Sequence, residues 1–124
     1  MSASARTARA RASYEAFAAG DRAAMEALLS DDLVFHSPPD PELDLEGWFA
    51  RCWPGSGSGT AFAFRRLEGI DGDAVLVTYE ATRPDGTRFR NTEVLTFADD
   101  DRIREIEVYF GWDLPSAGAG SSRT

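Results

Sequence analysis

The hydrophobic period of this chain changes once, near residue 60, and that change restricts the folds open to it. Before it, apolar residues recur at helical spacing: Ala10, Tyr14, Phe17 and Ala18 share one face, and the run stops at Gly20. Asp21 is placed as an N-cap for a second helix over Arg22 to Leu29, with Met25, Leu28 and Leu29 as its apolar stripe. Leu33 to His36 reads as a short strand stopped by Ser37-Pro38-Pro39. Glu46 to Trp53 reads as a third helix closed by Pro54-Gly55 and followed by a loop over Ser56 to Gly59. From Thr60 onward the period is two. The segments 60 to 70, 74 to 83, 88 to 98 and 102 to 112 are joined by Asp71-Gly72-Asp73, Pro84-Asp85-Gly86 and Asp99-Asp100-Asp101, which are turn sequences. The order specifies an α+β fold. A curved, mainly antiparallel sheet laid over three N-terminal helices lets helix stripes and sheet face bury each other.

With 124 residues, the chain has room for one ordinary domain, assigned to residues 1 to 114. After Pro115, residues 115 to 124 offer Ser, Ala and Gly with nothing to bury, and disorder is expected there. Composition removes several function classes. The net charge is −8 with no clustered basic stripe, so nucleic acid is excluded as a partner. All 13 basic residues are Arg, which removes Schiff-base chemistry and a P-loop lysine. One Cys and one His allow neither a disulfide framework nor a structural zinc. The Asp99-Asp100-Asp101 run lacks the further ligands at loop spacing that calcium needs, so no metal and no cofactor are expected. No apolar run approaches the length of a membrane span, and Met1 to Arg11 lacks a signal-peptide pattern, so the expected setting is the cytoplasm with no membrane contact.

The stretch Tyr14-Glu15-Ala16-Phe17-Ala18-Ala19-Gly20-Asp21, then Leu28-Leu29-Ser30-Asp31-Asp32 and a strand ending at Pro38, resembles the opening of the nuclear transport factor 2-like superfamily. The ending Asp101-Arg102-Ile103 followed by Tyr109-Phe110 is similar to that superfamily's final hairpin. The resemblance covers residues 10 to 114 and implies a cone-shaped sheet (the cystatin-like α+β barrel) enclosing a pocket, as in SnoaL-like polyketide cyclases and ketosteroid isomerases. In the isomerases a Tyr of the first helix and an acid of the penultimate strand donate hydrogen bonds to an oxyanion, and an Asp just before a Pro is the base. Carried over, Tyr14 matches the tyrosine and Glu93 the acidic donor, while Ser37 stands before Pro38 where the base would be.

Strand parity supplies a separate list of candidates. If Pro84 to Thr87 form the hairpin loop, Arg83 pairs with Arg88, Glu80 with Asn91 and Thr78 with Glu93, which puts Thr78, Glu80, Asn91 and Glu93 on one cavity-facing side. The opposite face would then carry Val77, Tyr79 and Val94, a surface apolar enough to expect a homodimer through it. On the last strand Ile106, Val108, Phe110 and Trp112 should face in. Glu80 and Glu93 would lie about 7 Å apart on the diagonal. In a dry cavity one of them should hold its proton, and such a pair can act as acid and base. The competing account is that one or both snorkel to the cavity mouth or pair with an Arg. Asn91 either orients a ligand carbonyl or satisfies Glu80. His36 is the one side chain titrating near neutrality and is a candidate base, although parity turns it outward and a strand-end role is the alternative. Trp48, Phe49 and Trp53, with Val108, Phe110 and Trp112, form either an aromatic pocket wall or ordinary core.

Two functions fit these features. One is a cofactor-free isomerase, cyclase or lyase acting on a small apolar or polycyclic carbonyl compound, with Glu93, Glu80, Tyr14 and His36 as its catalytic candidates. The other is a non-catalytic module that binds an apolar ligand or dimerises.

Overall fold

The computed structural model describes residues 3–116, so the tail expected to be disordered lies, beyond Ser116, outside the described residues. The element order is α1 (Ala3–Ala19), α2 (Arg22–Leu28), β1 (Leu29–His36), α3 (Leu45–Arg51), a 3-10 turn (Trp53–Gly55), then β2 (Ala61–Ile70), β3 (Ala74–Thr82), β4 (Arg88–Phe97) and β5 (Ile103–Leu114). Gly20 ends α1 at φ +70°, a left-handed conformation that glycine reaches without a Cβ penalty. The side chain of Asp21 then accepts from the Ala24 N–H at 3.1 Å and starts α2. Asp44 caps α3 in the same way, accepting from Gly47 N–H at 2.8 Å.

β1 begins four residues earlier than its apolar pattern suggests. Leu29 is already extended at φ −98°, ψ 141°, and Ser30-Asp31-Asp32, which reads as a break, is a bulged stretch of strand between the pairs formed by Leu29 and Val34. The sheet is open, in the order β1-β5-β4-β3-β2. Every neighbouring pair is antiparallel except β1 with β5. The helices cover one face. Ala10 and Tyr14 of α1, Met25 of α2 and Trp48 of α3 are buried against Val75, Val77 and Leu95 of the sheet.

The β3–β4 register is one residue off the expected one, and the cause is the turn. Arg83 N–H donates to Thr87 O at 2.9 Å and Gly86 N–H to Arg83 O at 2.9 Å, so the loop is Pro84 to Gly86 with Gly86 at φ +90°. Three-residue hairpin loops place a left-handed residue, usually Gly, at this position. The ladder therefore pairs Thr82 with Arg88, Glu80 with Arg90, Tyr79 with Asn91 and Val77 with Glu93. A slip of one residue turns a whole strand over. Thr78 and Glu80, expected in the cavity, lie on the outer face, whereas Val77 and Tyr79, expected on the exposed face, belong to the core. The surface proposed for dimer pairing is thus not one surface: Val77 is fully buried and only Val94 of the three points outward.

A second departure lies in β5. Asn91 pairs with Phe110 and Arg90 with Trp112, which leaves Gly111 as an extra residue, a β-bulge. An added Cβ at Gly111 would stand 2.0 Å from Arg90 O, so only glycine allows this approach. The bulge reverses the parity beyond it. Phe110 still faces the cavity, but Trp112, expected to face in, lies outside, with the Arg90 guanidinium 5.2 Å from its ring. No helix among the described residues is long and apolar enough to cross a membrane.

Candidate active site

Between the helices and the covered sheet face lies a cavity of about 780 Å³, a size suited to a small organic ligand. Phe35 of β1, Trp48 of α3, Phe62 of β2, Leu95 of β4 and Val108 of β5 give it apolar walls. Glu93 enters this space from the middle of β4. One carboxyl oxygen accepts from the Tyr14 hydroxyl at 2.8 Å and the other from the Tyr79 hydroxyl at 2.8 Å. Among the described residues, Glu93 makes no ion pair with an arginine. Burial pushes its pKa up, and the two tyrosine hydrogen bonds oppose that shift only in part. Burial and the neighbouring Glu93 charge push both tyrosines above the ordinary phenol value, so they stay protonated as donors.

Packing fixes this arrangement. The Tyr14 ring meets Phe62, Phe64 and Tyr79 at centroid distances of 5.6, 5.5 and 5.3 Å, mainly edge to face. Asn91, expected to orient a ligand or satisfy Glu80, instead joins two parts of the scaffold. Its amide donates to the Tyr79 hydroxyl at 3.4 Å and its carbonyl accepts from Gly111 N–H at 3.1 Å. The bulge and the tyrosine are held by one side chain.

Several candidates stand elsewhere. Glu80 is on the outer face, where it binds Arg88 at 3.1 Å, Arg65 at 3.7 Å and, most closely, Arg90. The Arg90 guanidinium bonded to it holds its carboxyl below the ordinary range. Glu80 is therefore not the second half of a carboxylate pair with Glu93. Thr78 is bonded on that outer face to Thr92 at 2.8 Å. His36 also lies outside the cavity, with Nδ1 2.8 Å from Pro41 O and Nε2 3.1 Å from Glu105. The Pro41 carbonyl contact, followed by Glu105, raises its pKa. Trp48 lines the cavity, while Phe49 and Trp53 stand behind it with ring centroids at 5.0 and 5.9 Å. Val108 and Phe110 line the cavity as expected, Phe110 at its exposed rim.

Tyr79 and Asp40 are cavity groups that the sequence pattern does not show. The one-residue difference in the β3–β4 register turns Tyr79 into the cavity, away from the outer face expected for it. Asp40 lines the cavity beside Ser37, held by its backbone bonds to Ser37 and by an ion pair with Arg51 at 2.6 Å. Asp40-Pro41 is itself an Asp before a Pro, three residues past Ser37-Pro38, and is the one sequence signal for this position. Asp40 and Glu93 share a neighbourhood. Burial pushes the Cys52 thiol up to about 11, and the charges of both carboxylates add to that rise.

An open sheet over three helices, enclosing an apolar cavity with a buried carboxyl group, defines a pocket protein of the NTF2-like α+β fold. The chain belongs to the SnoaL-like domain family, whose model matches residues 10–106. Among solved structures, it is similar to the epoxide hydrolase/cyclase-like enzyme SalBIII of pyran ring formation in the polyether salinomycin, at 18% identity and TM-score 0.72, over 87% of this chain and 92% of that one. It is also similar to an LEH-like epoxide hydrolase of Mycobacterium tuberculosis, at 24% identity and TM-score 0.70, over 88% and 84% of the two chains. An NTF2-like protein of Cytophaga hutchinsonii matches at 13% identity and TM-score 0.68, over 86% and 89%. Identities this low carry the fold and not the activity. No curated protein matches the chain.

Proposed function

We propose that this domain is a cofactor-free acid–base catalyst acting on an apolar or polycyclic carbonyl compound. The observation that carries this reading is Glu93, a carboxyl group in an apolar cavity, bonded through both oxygens to tyrosines and paired with no cation among the described residues. A structural acid gains nothing from desolvation, but a proton donor does, because burial favours its neutral form over its ionised form. In its protonated form, which burial favours, Glu93 has a proton to give to a substrate oxygen, while Tyr14 and Tyr79 hold its orientation. Asp40, ion-paired with Arg51, is the second carboxyl group of the cavity and the acceptor for a proton leaving carbon. Two carboxyl groups in unlike environments divide the acid and base roles between them. The SnoaL-like family and the enzymes among its structural neighbours support chemistry at this cavity rather than binding alone.

The test is proton exchange in D2O at carbon next to the carbonyl of 1-tetralone and 2-decalone, read by proton NMR. Wild-type protein should accelerate exchange, and Asp40→Asn should lower that acceleration by about 10² or more. Glu93→Gln should keep part of it and Glu93→Ala should keep less. Exchange at the buffer rate with wild-type protein, or full exchange in Glu93→Ala, would remove the proposal.

A further inference from the structure

Arg83 is the only basic side chain lining the cavity among the described residues, and it stands at the mouth on the β3–β4 turn. Its guanidinium lies 4.4 Å from the ring centroid of Phe89, another cavity residue, so its charge is held at the rim. The turn is fixed in place on both sides. Pro84 packs against the Gly59 loop, so closely that a Cβ at Gly59 would stand 3.0 Å from Pro84 Cγ. Asp85, the acid of the same turn and also a cavity-lining residue, is already engaged within the turn by the Thr87 N–H at 2.9 Å and the Thr87 hydroxyl at 2.7 Å. Arg83 itself donates to the Thr87 hydroxyl at 3.4 Å and forms no ion pair among the described residues. A guanidinium has five N–H donors, so most of its bonding capacity faces solvent or whatever occupies the mouth.

We infer that the ligand of this cavity is an amphipathic organic acid, with a neutral apolar body inside and an oxyanion such as a carboxylate or sulfonate at the rim on Arg83. The inference rests on the reading of the cavity as a small-molecule site and adds a polarity to it. No other basic side chain lines the cavity among the described residues, and burying an unpaired anion is costly, so the charged end stays at the mouth and the carbonyl end goes in. Arg83 is then a specificity-determining residue that fixes which end of the ligand meets Glu93. The net charge of −8 disfavours anions at the surface in general, so preference for an anionic ligand has to come from a local cation.

Two dyes with the same ring system separate the terms: 8-anilinonaphthalene-1-sulfonate and its uncharged parent N-phenyl-1-naphthylamine. Entry into the cavity is read from shifts of the Leu95 and Val108 methyl resonances. At low ionic strength, wild-type protein should bind the sulfonate roughly three- to fivefold more tightly than the neutral dye, the range expected of one exposed charge pair. Added salt should shrink that ratio. Arg83→Gln should abolish the preference and leave the affinity of the neutral dye unchanged, which also shows that the variant is folded. A sulfonate bound no better than its parent, or an Arg83→Gln variant that weakens both dyes alike, overturns the inference while leaving the cavity as a ligand site. Failure of both dyes to shift the methyl resonances overturns the cavity reading and this inference together.

Discussion

Tyr14 and Glu93, 79 residues apart in sequence, are joined by a hydrogen bond of 2.8 Å that ties α1 to the centre of the sheet. The bond crosses the cavity wall, so the same contact that holds the helix on the sheet also sets the position of the buried carboxyl group. Stability and site chemistry are therefore linked through one titration.

That linkage has a definite sign. The pKa of Glu93 is raised in the folded state, so the folded protein binds a proton more readily than the unfolded chain does. The stability contributed by Glu93 is fully present below the ordinary glutamate pKa of about 4.3 and is lost as pH rises through the raised folded value. Urea midpoints measured across that range should fall more steeply for wild-type protein than for Glu93→Gln, which carries no titrating group. Parallel profiles for the two proteins would show that Glu93 titrates as a solvated residue.

Tyr79→Phe removes one of the two hydroxyls that oppose the effect of burial. The folded pKa of Glu93 should rise further, which a carboxyl-carbon NMR titration reads directly. The loss of stability should depend on pH. It should be about 1 to 3 kcal/mol where Glu93 is ionised and an acceptor is left short, and smaller where the carboxyl group is protonated. A cost that is equal at both ends of the titration would mean that the hydroxyl acts through ring packing alone.

The element order and the place of every long strand were legible because they depend on local periodicity and turn residues. Faces were legible only where no turn or bulge intervened. Glu93 was placed inward correctly because Phe89, Asn91 and Glu93 alternate within one strand, whatever their partner. Glu80 was misplaced because its facing was carried across a turn, and one residue in the length of the Pro84–Gly86 loop decides it. Trp112 was misplaced because the bulge at Gly111 exists only through contact with β4, which the sequence of β5 does not display. Asp40 depends on how the β1–α3 connection folds back beside Ser37, a non-periodic segment where alternation offers no guide.

The reversed β3 face changes what a substitution there should do. Val77→Glu, on the expected pairing surface, would have dissociated a dimer and left the monomer folded. With Val77 fully buried beneath the helices, the same substitution puts a carboxyl group into the core. Its cost should be about 4 kcal/mol or more, enough to unfold a domain of ordinary stability. Circular dichroism should show loss of structure rather than a change of oligomeric state. A folded Val77→Glu monomer would return Val77 to the surface.

Gly111→Ala is the sharpest test of the bulge. The added methyl would meet Arg90 O at 2.0 Å, far inside contact distance, and the atom it meets is backbone in a paired strand. Neither side can yield by rotating a side chain. The strand must either give up the bulge or lose pairing at Arg90 and Asn91, and either route breaks the Gly111 bond to Asn91. Overpacking of this kind costs about 1 to 3 kcal/mol, with the lost hydrogen bond adding about 1 kcal/mol. If the bulge is given up, Trp112 turns toward the cavity and leaves Arg90, so its indole emission should shift to the blue. Asn91 would also be free of Gly111, which loosens its hold on Tyr79 and through it on Glu93, so the carboxyl-carbon titration of Glu93 should move as well. A Gly111→Ala protein with wild-type stability and an unmoved Glu93 titration would show that β4 and β5 pair without the bulge and that Asn91 does not couple it to the site.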